Sequence, residues 1–557
     1  MYIVRNSVIP DINYVLKKIV TFFALVFLTI HSFPAAAANN DTPQLILIHL
    51  DAASTYYFNQ ELEKGNLPNI QAFFGDEGII ENTITYFPSK TPTVISSLRF
   101  GRSVRNVGLP GWEWIIDRVE ETTVKTTGTF LRMAYSTSRL SRTNILYGLP
   151  IFHWLAGPAL INTSDYLKDY NVLQFYWYNI DTQGHFHGEE RYLSEYKRFD
   201  EKFGKLIERL DDDVNVIIYS DHGMTFGEGI EESDELHNLL GEEILVYSYP
   251  TLYIKNPEKK DYFAKKIVEE TGVDFTFFEE NEKTVKGYHK KGELFFIKDW
   301  EKNKIRYEYL GEDVLGYGDL GYNGEYLNMD EWLKLTYDAE YPMAPMNLFY
   351  HLDNEVASDI VTLFEKDRFP QTVYSSMGNH GGFTYQDMTV PLLVKGEEVS
   401  QLKGKSYYWL PDLFNDIQDI DFEQSPPRER HFIGSRYDFK RDRMVTEISF
   451  SPKYRVHYGL AAYGSDHFNY DRVDFWGKAD LFRSYLVRAW AGVGVEMENS
   501  NYTPFFIFNY DIHVRRFVVQ NSFATNRQFY FHMAYEVNPW LAITSVNFNS
   551  LGVRFDF

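Results

Sequence analysis

The sequence predicts two folded parts in series: a doubly wound α/β domain with an inserted cap over residues 42–398, then an antiparallel β-barrel of about eight strands over 430–557. Three observations carry this. Apolar runs at 45–50, 172–178, 214–219 and 390–394 have the length and composition of buried, largely parallel strands, and a helical pattern with charged outer positions lies over 193–210. Several of the chemically distinctive residues fall at or just after the ends of these runs, where a parallel sheet gathers its ligands. From about Arg443 onward the chain changes to sustained alternation of apolar and polar residues.

Taken in order, the first element is a leader. Lys17 and Lys18 precede an apolar run at 19–30, and Ala35 to Ala38 supply small residues where cleavage would occur, so residues 1–38 have the layout of a secretory signal peptide. The run is short for a membrane span. An uncleaved anchor or a buried core helix is the alternative, and the long stretch before Lys17 leaves open a start further into the chain.

The α/β part follows. Residues 231–370 are expected to hold a cap inserted over the site, with part of the stretch continuing the sheet; its tyrosines, dense over 307–326, are expected to pack. Residues 399–429, rich in Asp and carrying Pro426 and Pro427, are expected to form a linker.

In the C-terminal part, Tyr454, Val456, Tyr458 and Leu460 alternate with Arg455, His457 and Gly459. Val487, Ala489, Ala491, Val493 and Val495 alternate with Arg488, Trp490, Gly492, Gly494 and Glu496. The period returns with Phe506, Phe508, Tyr510, Ile512 and Val514 against Asn509, Asp511, His513 and Arg515, and again from Phe529 to Val537. A soluble sandwich also alternates. An aromatic apolar face opposed to one carrying Arg, His, Asp and Glu is the pattern of a barrel with lipid outside and a polar lumen. The last residues, from Ser550 through Gly552 to Phe555 and Phe557, resemble the terminal strand of Gram-negative outer-membrane barrel proteins.

Composition narrows the function. The chain of 557 residues has no cysteine, which excludes disulfides, thiolate metal sites and cysteine nucleophiles. A net charge of -23 speaks against general nucleic-acid binding. No glycine-rich phosphate loop of the nucleoside-triphosphatase type occurs.

The chemistry-bearing residues are Asp51 after the first run, Thr91 in Ser89-Lys90-Thr91-Pro92, Asp181 and His185 four apart, Asp221 and His222 after 214–219, and the distant His380. Singly each has an ordinary explanation, since an Asp ending a strand is most often a cap or turn former. Together they supply the carboxylates, imidazoles and hydroxyl of a two-metal phosphoryl-transfer site.

This set resembles the alkaline phosphatase superfamily, most closely its type I phosphodiesterase and nucleotide pyrophosphatase branch, in motif order over about 44–396. The resemblance implies that Thr91, ten residues before Gly101, is the nucleophile. It implies that Asp181, His185 and His380 hold one divalent ion, and that Asp51, Asp221, His222 and the Thr91 oxygen hold a second, zinc being the metal expected. Asp-Gly after the family's first strand is Asp51-Ala52 here. The branch's phosphate-binding asparagine aligns near Trp112, which weakens any expectation of nucleotide specificity; Lys90 and Asn106 are candidates for the donor, with solvated turn residues as the alternative. His187 is left unassigned.

The expectation is an exported two-metal hydrolase of phosphate esters, diester or monoester, working through a phospho-threonine intermediate. Its partners would be a small phosphate ester and outer-membrane lipid around the barrel, with the catalytic domain on the periplasmic side. A sulfatase shares the fold but needs a Cys or Ser in a Cys/Ser-x-Pro-x-Arg frame, which residues 91–95 lack. A mutase fits the fold, although export argues against a glycolytic role. From another class, the barrel could be the working part, a pore or adhesive surface, with a non-catalytic binding module attached.

Overall fold

The computed structural model describes residues 43–556 except 101–108, 137–143, 148–152, 168–170, 418–419, 421–430 and short breaks at 454–455, 467–468, 484–486, 500, 515–516, 526 and 539. The expected signal peptide at 1–38 and Asn106 lie outside the described residues. Among the described residues no helix is long and apolar enough to cross a membrane.

The α/β domain is built on a six-stranded mixed sheet. At its centre β1 (Leu45–Leu50) runs parallel to β2 (Val172–Trp177) on one side and β3 (Asn215–Ser220) on the other. Strand Asn144–Tyr147 lies parallel outside β2, while β4 (Leu392–Lys395) pairs antiparallel with β3 and carries Ile79–Ile80 at the far edge. Every residue of β1, β2 and β3 is buried. Leu45 and Leu47 enter one apolar cluster, and Ile46, Ile48 and Leu50 enter another, as a strand with period two must when both faces of its sheet are covered.

Two helices matter for the site: α1 (Thr91–Phe100) and α2 (Asn179–Ile207). The helix expected over 193–210 therefore starts far earlier. Gly188, at φ 76°, kinks α2 rather than ending it, so Asp181 and His185 lie one helical turn apart ahead of a bend between two helical halves.

Residues 231–370, expected as a cap, begin with α3 (Glu232–Leu240) and contain a seven-stranded sheet whose strands run from Ile244–Ser248 to Ile360–Leu363 in sequence. Phe275, Phe277, Phe296 and Trp332 of this stretch share one apolar cluster with Leu45 and Tyr219 of the main sheet. Within the stretch expected as a linker, Leu402, Tyr408, Trp409, Leu410, Leu413, Phe414 and Ile417 are buried in that same cluster, and Tyr408–Trp409 pairs with Thr83–Ile84.

The C-terminal part is a closed antiparallel barrel of ten strands, from Phe432–Asp438 to Ser550–Asp556, and these two strands pair to close it. The expected number was about eight. Short strands such as Leu541–Val546 have too few apolar positions to announce themselves, and tight turns let more strands fit the same length. The alternation sorts as expected. Tyr458, Val493, Phe506, Phe517 and Leu551 are exposed on the outer face. Inside, Arg436 pairs with Glu447 at 3.0 Å, and Arg472 pairs with Asp474 at 3.1 Å and Glu496 at 2.7 Å.

Candidate active site

The ends of β1, β2 and β3, three adjacent parallel strands, deliver Asp51, Asp181 with His185, and Asp221 with His222 to one edge of the sheet. Thr91 opens α1 beside them, where a helix N-terminus favours developing negative charge. His380 arrives from the loop before β4. That loop is tied on both sides: Met377 N donates to His185 O at 3.1 Å, and Gly381 N donates to Ser89 Oγ at 3.0 Å. All seven residues expected from the sequence come together.

Around Asp181, its Oδ1 lies 3.1 Å from His185 Nε2 and 3.3 Å from His380 Nε2. Around His222, its Nε2 lies 3.3 Å from Asp51 Oδ1, 3.4 Å from Asp221 Oδ2 and 3.2 Å from Thr91 Oγ1. The two groups abut, because the His222 and His380 rings stack with centroids 3.7 Å apart. His222 is therefore close to both, and Asp181, His222 and His380 also converge on one point. Exposed His187 stays outside.

The donor set fits divalent ions. Ligands held about 2.0–2.1 Å from a tetrahedral ion lie about 3.3 Å from one another, which is the spacing found. Each imidazole points Nε2 inward because its Nδ1 is committed to a backbone carbonyl: His185 to Gly378, His222 to Gly223 and His380 to Ser89, each at 2.9 Å. Each carboxylate keeps a buried oxygen that no hydrogen bond reaches: Asp51 Oδ1, Asp181 Oδ1 and Asp221 Oδ2.

The electrostatics make the same demand. Burial, with the neighbouring Asp221 and Asp181 carboxylates, pushes Asp51 well above the usual carboxylate range. Burial also acts on Asp181 and Asp221, but His185 and His380 hold Asp181 low, and His222 and His49 hold Asp221 at about 2. Burial and His222 push His380 down to about 3. A cation on the inward oxygens relieves the crowding of carboxylates that burial makes costly.

Sequence reasoning missed the supporting residues. His49 Nε2 stands 3.1 Å from Asp221 Oδ1, and its ring stacks on Tyr176 and Tyr219 at 4.3 and 4.9 Å. The strand register places these three side by side. The Tyr176 hydroxyl donates to Asp51 Oδ2, and Tyr178 bonds the Asp181 side chain. One signal was available: His49 is a polar residue inside an apolar run, two before Asp51 and so on the same face of the strand. Of the two donor candidates, Lys90 is buried near the site and Asn106 lies outside the described residues; Trp112, where the branch's asparagine aligns, packs against an apolar cluster containing Leu109, Trp114 and Tyr253.

Residues 129–322 match the family model described as type I phosphodiesterase / nucleotide pyrophosphatase. The matched stretch holds Asp181, His185, Asp221 and His222, while Asp51, Thr91 and His380 lie outside it. That match indicates a phosphoester hydrolase, and the grouped carboxylates and imidazoles are candidate metal ligands. No curated protein matches the chain. Among solved structures the chain is similar to phosphonoacetate hydrolase from Sinorhizobium meliloti 1021 in complex with phosphonoformate, at 13% identity and a TM-score of 0.35, covering 68% of this chain and 95% of that one. The same hydrolase in complex with phosphonoacetate aligns at 12% identity with a TM-score of 0.34, over the same shares.

Proposed function

We propose that the protein is an exported two-metal phosphoester hydrolase that works through Thr91 and is held in an outer membrane by its barrel. The observation that carries the catalytic part is Thr91 Oγ1 lying 3.2 Å from His222 Nε2, beside three carboxylate oxygens that no hydrogen bond reaches. Asp181, His185 and His380 would hold one ion and Asp51, Asp221 and His222 the other. Bound there, divalent cations such as zinc would lower the pKa of an alcohol and offset charge gathering on phosphoryl oxygens.

Thr91 Oγ would attack phosphorus in line with the ester oxygen; the P–O bond to the alcohol breaks, the alcohol leaves with a proton, and phospho-Thr91 forms. Water then attacks phosphorus and the bond to Thr91 breaks, Thr91 oxygen regaining a proton as inorganic phosphate leaves from a monoester, or a phosphate monoester from a diester. Tyr176, Tyr178 and the three carbonyls behind the imidazoles keep the inward atoms aimed throughout, so little reorganisation is needed as the reaction proceeds.

The barrel part rests on the outer aromatic and aliphatic face, the ion-paired interior and the pairing of the first and last strands. Ten is even, so both ends would lie on the periplasmic side with the catalytic domain. The test is hydrolysis of p-nitrophenyl phosphate and bis-p-nitrophenyl phosphate by the full chain in detergent, with chelator and then with zinc restored. Turnover of either ester that chelation stops and zinc restores is expected; no turnover with zinc present would favour a binding module.

A further inference from the structure

Lys90 stands immediately before the proposed nucleophile and is 8% exposed. Its side chain runs along the backbone of Gly381, whose φ of +108° and lack of Cβ make the room: a Cβ there would lie 2.6 Å from Lys90 Cε. The ammonium sits 5.6 Å from the centre of the Tyr249 ring and forms no ion pair with a described residue. Gly381 directly follows His380, so the Lys90 side chain lies against the loop that carries that imidazole.

The counter-charge stands off. Glu232, the first residue of α3 in the cap, acts on Lys90 through space without contact. Glu232 is 1% exposed, and its carboxyl interacts with the Tyr247 and Thr362 side chains and makes no ion pair with Lys90. A buried ammonium without a contacting anion carries a large desolvation penalty that an arriving anion would offset. Trp112, where the family's phosphate-binding asparagine aligns, lies in an apolar cluster and is no substitute donor.

We propose that Lys90 forms the anion subsite of this reaction, receiving a non-bridging oxygen of a doubly charged phosphoryl group, so that phosphate monoesters are the preferred substrates. A diester carries one negative charge, and its second ester group would meet the buried ammonium with an uncharged oxygen and an organic substituent. Such a mismatch weakens attraction and leaves the cation poorly paired.

The proposal rests on the phosphoester-hydrolase reading, and the experiment separates the two. The full chain in detergent with zinc is assayed on p-nitrophenyl phosphate and bis-p-nitrophenyl phosphate as wild type, Lys90→Met and Lys90→Arg, with inorganic phosphate as competitive inhibitor. The wild type is expected to favour the monoester in kcat/KM by about tenfold or more. Lys90→Met is expected to lose about 100-fold on the monoester, less than about tenfold on the diester, and to bind inorganic phosphate correspondingly more weakly. Lys90→Arg, which keeps the charge, should retain the monoester preference. A wild type that favours the diester, or a Lys90→Met variant that loses both substrates alike with unchanged phosphate inhibition, overturns the proposal. If the wild type cleaves neither ester, the reaction reading fails, and calorimetric binding of inorganic phosphate then decides the subsite: loss in Lys90→Met supports it and equal binding overturns it.

Discussion

His49 and Asp221 meet at 3.1 Å, Nε2 to Oδ1, while the other Asp221 oxygen lies 3.4 Å from His222 Nε2. One carboxylate is thus gripped from behind and presented in front. The grip is rigid because the His49 ring is stacked on both sides, by Tyr176 and Tyr219 from the flanking strands. The backbone N–H groups of Ala52 and His222 donate to the same Oδ1 at 3.3 and 3.0 Å.

His49→Ala should therefore weaken metal binding about tenfold or more, with turnover recovering as zinc is raised, because the variant loses orientation of a ligand and not the ligand itself. His49→Gln, which can still present a donor, should restore part of the affinity. Metal titration followed by activity and by calorimetry checks this. Unchanged affinity in His49→Ala would remove the positioning role.

Thr91→Ala removes the proposed nucleophile from a site whose carboxylates and imidazoles are untouched. Turnover should fall by roughly 1,000-fold or more, and no phosphorylated protein should accumulate on rapid quenching. Two equivalents of metal should still bind, measured on the purified protein. Activity near the wild-type level would rule out the nucleophile assignment.

Glu232 gives a pH signature of stability. Burial raises its carboxyl from 4.5 to about 7, so the folded state holds a proton that the unfolded state has released between those values. The sign follows: this contribution is fully present below pH 4.5 and is lost as pH rises through about 7. Its size is about 3 kcal/mol at most. Relative to wild type, Glu232→Gln should gain melting temperature between pH 5 and pH 8, measured with chelator present so that metal occupancy does not vary. A difference between the two proteins that stays flat with pH would contradict it.

The outer face of the barrel is tested by Val493→Arg. Val493 is 59% exposed in the middle of strand Val487–Glu498. In a bilayer the arginine should cost about 2–4 kcal/mol and lower folding yield in lipid vesicles, whereas on a water-exposed barrel it should cost next to nothing. Equal yields for wild type and variant would count against a lipid-facing surface.

Much of the architecture was legible in the sequence because it rests on short-range periodicity. Residues 45–50 and 214–219 read as buried strands since both faces of the central sheet are covered, and the alternation of Phe506 and Phe508 with Asn509 and Asp511 follows from one face of each barrel strand being turned away from the other. The break at Gly188 was harder, since glycine marks both the end of a helix and a kink within one, and only the packing of both halves decides between them. The buried stretch around Trp409 and Leu413 was likewise hidden by the Asp and Pro around it.

By itself the sequence determined the residue types of the site and the strand ends that carry most of them, because ligand chemistry and strand period are written locally. Only the tertiary structure decided that the His380 loop is tied to His185 and Ser89, that His49 stands behind Asp221, and that Lys90 lies buried near a carboxylate supplied by the cap. Those contacts depend on strand order and loop closure, which couple parts of the chain that carry no mutual signal until the sheet has formed.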